Sequence, residues 1–161
     1  MQNYMLERLL ERISLSPYKQ NFILKGGFLI SAIVGLDTRA TMDLDTTIKG
    51  FALTHEAIRD IFSQICAIEG DDDVTFELTG ISDIRERDDY LGIRVALKAN
   101  YPPISVPITV DVTTGDKITP REIEYTFSLL FDDRSINVLA YNLETVLAEK
   151  IETVLSRSIA N

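Results

Sequence analysis

A two-residue alternation runs through residues 105–114: Val106, Ile108, Val110 and Val112 fall on one side, and Thr109, Asp111 and Thr113 on the other. An extended chain points successive side chains to opposite faces, so this stretch buries its apolar residues as a strand with one face on a core and one face polar. The same rhythm marks Val74, Phe76 and Leu78 against Thr75, Glu77 and Thr79. Residues 91–99 form a further apolar run, joined to residues 104–113 by the turn sequence Asn100-Tyr101-Pro102-Pro103. Residues 123–131 and 135–140 read as a hairpin around Asp132-Asp133, residues 22–24 as a short buried strand, and residues 43–49 as another.

Helical spacing appears elsewhere. Met5, Leu6, Leu9, Leu10 and Ile13 form a stripe over residues 3–14, which Pro17 closes. Residues 27–34 read as a buried helix that Gly35 stops. Thr54 caps a helix through about residue 68, with Ile58, Ile61, Phe62, Ile65 and Cys66 on one face, and Asn142 caps another through about residue 157. Gly70 and Asp71-Asp72-Asp73 read as a turn. The expected architecture is a single α/β domain of the α+β kind, a mixed, mostly antiparallel sheet flanked by helices.

Composition excludes several classes. The chain has 161 residues, 45% hydrophobic and 25% charged, which is enough for one buried core. No run approaches the roughly 18 apolar residues of a membrane span, and the first residues lack the apolar region of a secretory signal. A single cysteine and a single histidine leave too few parts for a disulfide framework, a zinc site or a Cys/His catalytic pair, and a reducing cytoplasm is the simplest setting. The net charge of −9 suits a nucleotide held on metal, or a basic partner, better than broad nucleic-acid binding.

The candidate chemistry starts at Asp43-Leu44-Asp45. On a strand Asp43 and Asp45 share a face. Two carboxylates side by side repel each other and are stable with a hard cation such as Mg²⁺ between them. Gly26-Gly27 stands where an apolar strand turns into a helix, so backbone N–H groups there can approach a phosphate with no side chain in the way. Lys25-Gly26-Gly27, followed by Arg39-x-Thr41-x-Asp43-x-Asp45, resembles the AbiEii/AbiGii toxin family of nucleotidyltransferases, toxin halves of bacterial toxin–antitoxin and abortive-infection systems with MenT-type tRNA-modifying toxins as relatives. Gly27-Phe28 stands where the wider superfamily has Gly-Ser, and the spacer to the Asp-x-Asp is longer.

The resemblance implies the nucleotidyltransferase (polymerase beta-like) fold and transfer of NMP from an NTP to a hydroxyl, with release of pyrophosphate. It further implies Mg²⁺, two ions held by Asp43, Asp45 and Asp111, with Asp111 as general base. The implied acceptor is RNA, at the 3′ end of tRNA, which would stop translation, and a cognate antitoxin is implied as partner. On pattern alone Asp111 is equally a solvated acid on the polar face of a strand. Lys150 falls near the middle of the stripe formed by Leu143, Val146, Leu147, Ile151 and Val154. It either snorkels past the core edge or, as the resemblance suggests, reaches triphosphate oxygens; Arg157 lies on nearly the same face. Lys25 is a phosphate contact or a strand-edge charge, Arg39 a partner of the triphosphate or of a loop acid, and Thr41 a hydroxyl near the metal. His55 reads as a first-turn helix residue, Cys66 as core, and the tyrosines as scattered. An Arg-x-x-Asp motif that the family carries beyond the lysine helix does not occur here, so residues 1–161 are expected to be the N-terminal part of a longer protein with a helical C-terminal half. Two rivals remain: the same fold with a small-molecule (favoured as cationic) or protein acceptor, and a nucleotide-binding module without turnover.

Overall fold

The computed structural model describes residues 2–25, 43–85, 91–114, 123–128 and 135–141. Helix α1 (Gln2–Leu15) precedes strands β1 (Phe22–Lys25) and β2 (Asp43–Ile48). Helix α2 (His55–Cys66) follows, and then β3 (Thr75–Arg85), β4 (Leu91–Tyr101), β5 (Ile104–Thr113), β6 (Ile123–Ser128) and β7 (Ser135–Ala140). The strands form one seven-stranded sheet in the order β3-β4-β5-β2-β1-β7-β6.

Three antiparallel blocks make up this sheet: the meander β3-β4-β5, the pair β2-β1, and the hairpin β7-β6. Two parallel seams join them, β5 to β2 and β1 to β7. The mixed, mostly antiparallel sheet expected from the alternation is therefore present. On β5 the pattern holds, with Val106, Ile108, Val110 and Val112 all buried on one face, whereas β3 runs on to Arg85, beyond the alternation that ends at Thr79. The β5 row continues through Val95 on β4 and Leu44 on β2. A register shift at Leu78/Gly80 marks a bulge in β3.

Helix α1 packs against β5 and β7, and α2 against β3. Thr54 is the N-cap of α2, its hydroxyl accepting from the Ala57 N–H at 3.1 Å. This satisfies a donor that helix geometry leaves open and is worth about 1 kcal/mol. Ile58, Ile61, Phe62 and Ile65 form the buried face of α2, and Phe62 meets Phe22 of β1 edge to face at 5.7 Å. Each such aliphatic or aromatic side chain contributes about 1.5–3 kcal/mol on leaving water. After β2 the chain turns at Gly50, whose φ of +84° is easy only for glycine. The Asn21 amide donates to Lys49 O at 2.9 Å and fixes that turn against the entry to β1.

The first helix departs from an ordinary amphipathic one. Every residue from Met5 to Ile13 is buried, including Glu7, Arg8, Glu11 and Arg12. Arg12 makes a two-point pair with Asp72 at 2.7 and 3.2 Å and donates to the carbonyls of Ile68 and Val74. It also lies over the Phe76 ring, 4.8 Å from its centre. Arg8 bonds Glu11 at 3.1 Å and approaches Asp72 at 3.8 Å. Asp72, read from sequence as one of three turn acids, is thus the anchor that ties the bend after α2 to α1. Burial alone would raise the Asp72 carboxyl; the Arg12 hydrogen bonds and charge, the Val74 amide and the Arg8 charge outweigh it and hold it below its ordinary value.

Candidate active site

Strand register places four charged residues in one line across the sheet. Lys25 of β1 stands opposite Asp45 of β2, Asp45 opposite Asp111 of β5, and Asp111 opposite Arg94 of β4. Residues directly opposite share a face, and neighbouring strands lie about 4.8 Å apart. On the other face the intervening residues Leu44, Val110 and Val95 are fully buried. The two acids therefore meet on the face away from α1 and α2, because alternation drives their neighbours into the core.

Like charges facing each other across a strand pair are destabilising. Here cations flank the acids on both sides. Arg94 grips Asp111 with both arms, Nε to Oδ1 at 2.9 Å and Nη2 to Oδ2 at 3.1 Å. The side chain of Arg94 is 46% exposed and that of Asp111 15%. On the opposite flank Lys25 Nζ donates to the Thr113 hydroxyl at 3.0 Å and lies 5.9 Å from the centre of the Tyr141 ring. The Thr113 hydroxyl in turn reaches Thr46 O at 3.4 Å, and the Thr46 hydroxyl donates to Asp111 O at 3.1 Å. These bonds stitch β5 to β2 at the level of the acids. Thr47 and Tyr141 share a buried hydroxyl–hydroxyl bond of 2.9 Å on the same side of Lys25.

Asp45, Asp111 and Lys25 are thus brought together on one face. Lys25 is the last residue of β1, an inner strand between β2 and β7, and is a half-buried cation. Asp43 occupies the β2 position opposite Thr109, with its side chain outside the described residues. Gly26, Gly27, Arg39, Thr41, Lys150 and Arg157 lie outside the described residues.

Sequence reasoning put Thr113 on the face of Asp111 but missed Arg94, Thr47 and Tyr141 as parts of this surface. For Arg94 a signal existed: Gly92, Arg94, Ala96 and Lys98 alternate with the buried Ile93, Val95 and Leu97. What no local pattern supplies is that Arg94 faces Asp111. His55, expected to be idle, pairs with Asp83 at 2.6 Å on the exposed surface, away from the row of acids. Cys66 ends α2 partly buried, and burial pushes its thiol up to about 11 against the smaller opposing effect of the Arg12 charge.

The donor set fits a hard divalent cation: two carboxylates in register, with a third acid two residues along β2. Among the described residues no cluster of three metal-capable side chains stands together; the side chain of Asp43 is not among them. Nor is any described helix long and apolar enough to cross a membrane.

The mixed sheet with Asp45 and Asp111 on adjacent strands is the arrangement that the resemblance to nucleotidyltransferases implies. The chain belongs to one family of that class: residues 8–161 match the model described as nucleotidyl transferase AbiEii toxin, type IV toxin–antitoxin system. Two solved structures from Helicobacter pylori are similar in fold. One is the crystal structure of JHP933, 13% identical with a TM-score of 0.50, covering 91% of this chain and 53% of its own. The other is a candidate nucleotidyltransferase, also 13% identical with a TM-score of 0.50, covering 92% of this chain and 56% of its own. The chain therefore spans just over half the length of these relatives. No curated protein matches it.

Proposed function

We propose that this chain carries the catalytic face of a Mg²⁺-dependent nucleotidyltransferase toxin that moves NMP from an NTP to an RNA acceptor, the 3′ end of tRNA, and so inhibits translation in the cytoplasm. The observation that carries this reading is the register pairing of Asp45 with Asp111 on adjacent parallel strands. Membership of the AbiEii family supports it.

In this reading Asp43, Asp45 and Asp111 hold Mg²⁺, in two ions, and Lys25 offers charge to the triphosphate with Gly26, Gly27, Arg39, Thr41, Lys150 and Arg157. Bound Mg²⁺ supplies neutralisation of the phosphate charge. The acceptor hydroxyl oxygen bonds to the α-phosphorus as the bond to the leaving pyrophosphate breaks. Asp111 takes the hydroxyl proton on a lone pair that its two Arg94 bonds leave open, a carboxylate having about four such sites. Holding reactants in line accounts for most of the rate in such a site. A cognate antitoxin is the proposed partner.

A second reading, transfer to a cationic small molecule, is favoured by the net charge of −9, which repels RNA and attracts a polyamine-like acceptor. Incubation with each α-³²P-NTP, Mg²⁺ and total tRNA decides. Label on tRNA that disappears in Asp45→Ala is the expected result. Label that appears only with a basic small molecule would replace the RNA reading. Full biological effect from Asp43→Ala without any label would replace both with a non-catalytic module.

A further inference from the structure

Arg94 lies outside the motif that marks the site, yet it holds one of its acids by two hydrogen bonds. Its guanidinium meets both oxygens of Asp111 in a planar fork. Such a fork fixes the direction of the carboxylate as well as its charge. The geometry also has an electrostatic cost. A divalent cation bound by Asp45 and Asp111 would sit beside a permanent positive charge one strand away, and like charges repel.

From this we infer that Arg94 is a positioning residue of the site: it aims Asp111 while competing with the divalent cation for the same carboxylate, so that cation binding is weaker than the acids alone would make it. This rests on reading Asp45 and Asp111 as a cation site. Half-exposure fits the role, because a guanidinium with 46% of its side chain in solvent can swing away at little cost, unlike the buried Arg12. Position on β4 fits as well, since Arg94 and Asp111 are register partners on antiparallel strands and the fork needs no loop movement to form. The line of residues from β4 to β1 then reads cation, acid, acid, cation, with no net charge until a divalent ion arrives.

A structural role for Arg94 and a competing role predict opposite signs. Mn²⁺ binding to the whole chain, followed by the electron paramagnetic resonance of the free ion, separates them. Arg94→Gln should bind Mn²⁺ roughly three- to tenfold more tightly than wild type, the effect of one unit charge on a nearby divalent ion in a partly solvated site. Arg94→Lys keeps the charge and loses the fork, so its Mn²⁺ affinity should stay near wild type while nucleotide transfer falls. Equal or weaker Mn²⁺ binding by Arg94→Gln, with wild type binding normally, would overturn the inference and leave the active-site reading intact. If Arg94→Gln does not fold, Arg94→Lys decides, and unimpaired transfer in it would count against the aiming role. A wild-type chain that binds no Mn²⁺, and is no different from Asp111→Asn, would remove the site reading on which the inference stands.

Discussion

Two arginine–aspartate forks lie among the described residues, and their chemistry is the same. Arg12–Asp72 closes at 2.7 and 3.2 Å, Arg94–Asp111 at 2.9 and 3.1 Å. Their settings differ. The side chains of the first pair are 2% and 6% exposed, those of the second 46% and 15%. Around Arg12 the carbonyls of Arg8, Ile68 and Val74 take further donors, so that pair is built into the frame. Arg94–Asp111 sits on an open face beside a second carboxylate. Equal geometry thus serves a buried fastener in one place and a solvent-facing pair on the proposed catalytic face in the other. Desolvation makes the difference: a buried charge is costly without its partner, whereas a half-exposed one is re-solvated.

The strongest way to break the comparison is to remove one partner from each fork. Arg12→Met strips the buried Asp72 carboxylate of its two-point partner, leaving the Val74 amide and the more distant Arg8, and urea unfolding should show a loss of about 3–5 kcal/mol. A loss below about 1 kcal/mol would mean that the buried fork is no more structural than the open one. Next, Asp111→Asn should lower nucleotide transfer by about 10²–10³-fold, the scale of removing one group that stabilises transition-state charge, with the unfolding midpoint nearly unmoved. Equal damage to folding and transfer would erase the distinction.

Acid titration sharpens it further. The Asp72 carboxyl is held below its ordinary 3.8, so its pair contributes fully above that value and is lost as pH falls through the lower folded value. Thermal melts should show a shallower acid decline in Asp72→Asn than in wild type. Arg94→Gln should shift stability by less than about 1 kcal/mol, as expected for an exposed pair. The smallest effect concerns Cys66, whose thiol is pushed up to about 11. At pH 8 a disulfide reagent should label it about tenfold or more slowly in the folded chain than in urea, because little thiolate is present; equal rates would show that α2 frays at its end.

Legibility in the sequence followed distance along the chain. Alternation and turn residues marked β3, β4 and β5, and the β6–β7 hairpin, because each pairs with its chain neighbour. The parallel seams β5–β2 and β1–β7 have no local signature, since nothing short connects such strands. The site divides in the same way. Asp45 stands out by its motif and Asp111 by its lone charge on a threonine-lined face, but Arg94 becomes significant only once register pairs it with Asp111. The Asp72 anchor was hidden by its neighbours: among Asp71, Asp72 and Asp73 no pattern tells which one turns inward toward Arg12. The helix α1 conceals its four buried charges for the same reason, since its stripe alone accounts for a helix with one wet face.

The seam between β2 and β5 also sets an order in time. Its two strands are separated in the chain by α2 and by the whole β3–β4 hairpin. Closing so long a loop is paid in entropy before any contact across the seam repays it, so non-local pairings of this kind form after local hairpins. Pulse-labelled hydrogen exchange during refolding should find the amides of the β4–β5 hairpin protected no later than those that bridge β2 and β5. A chain of the AbiEii toxin family that has made β2 but not yet docked β5 holds one half of an acidic pair. The facing carboxylates exist only where β2 and β5 have paired, so a molecule without that seam does not present them.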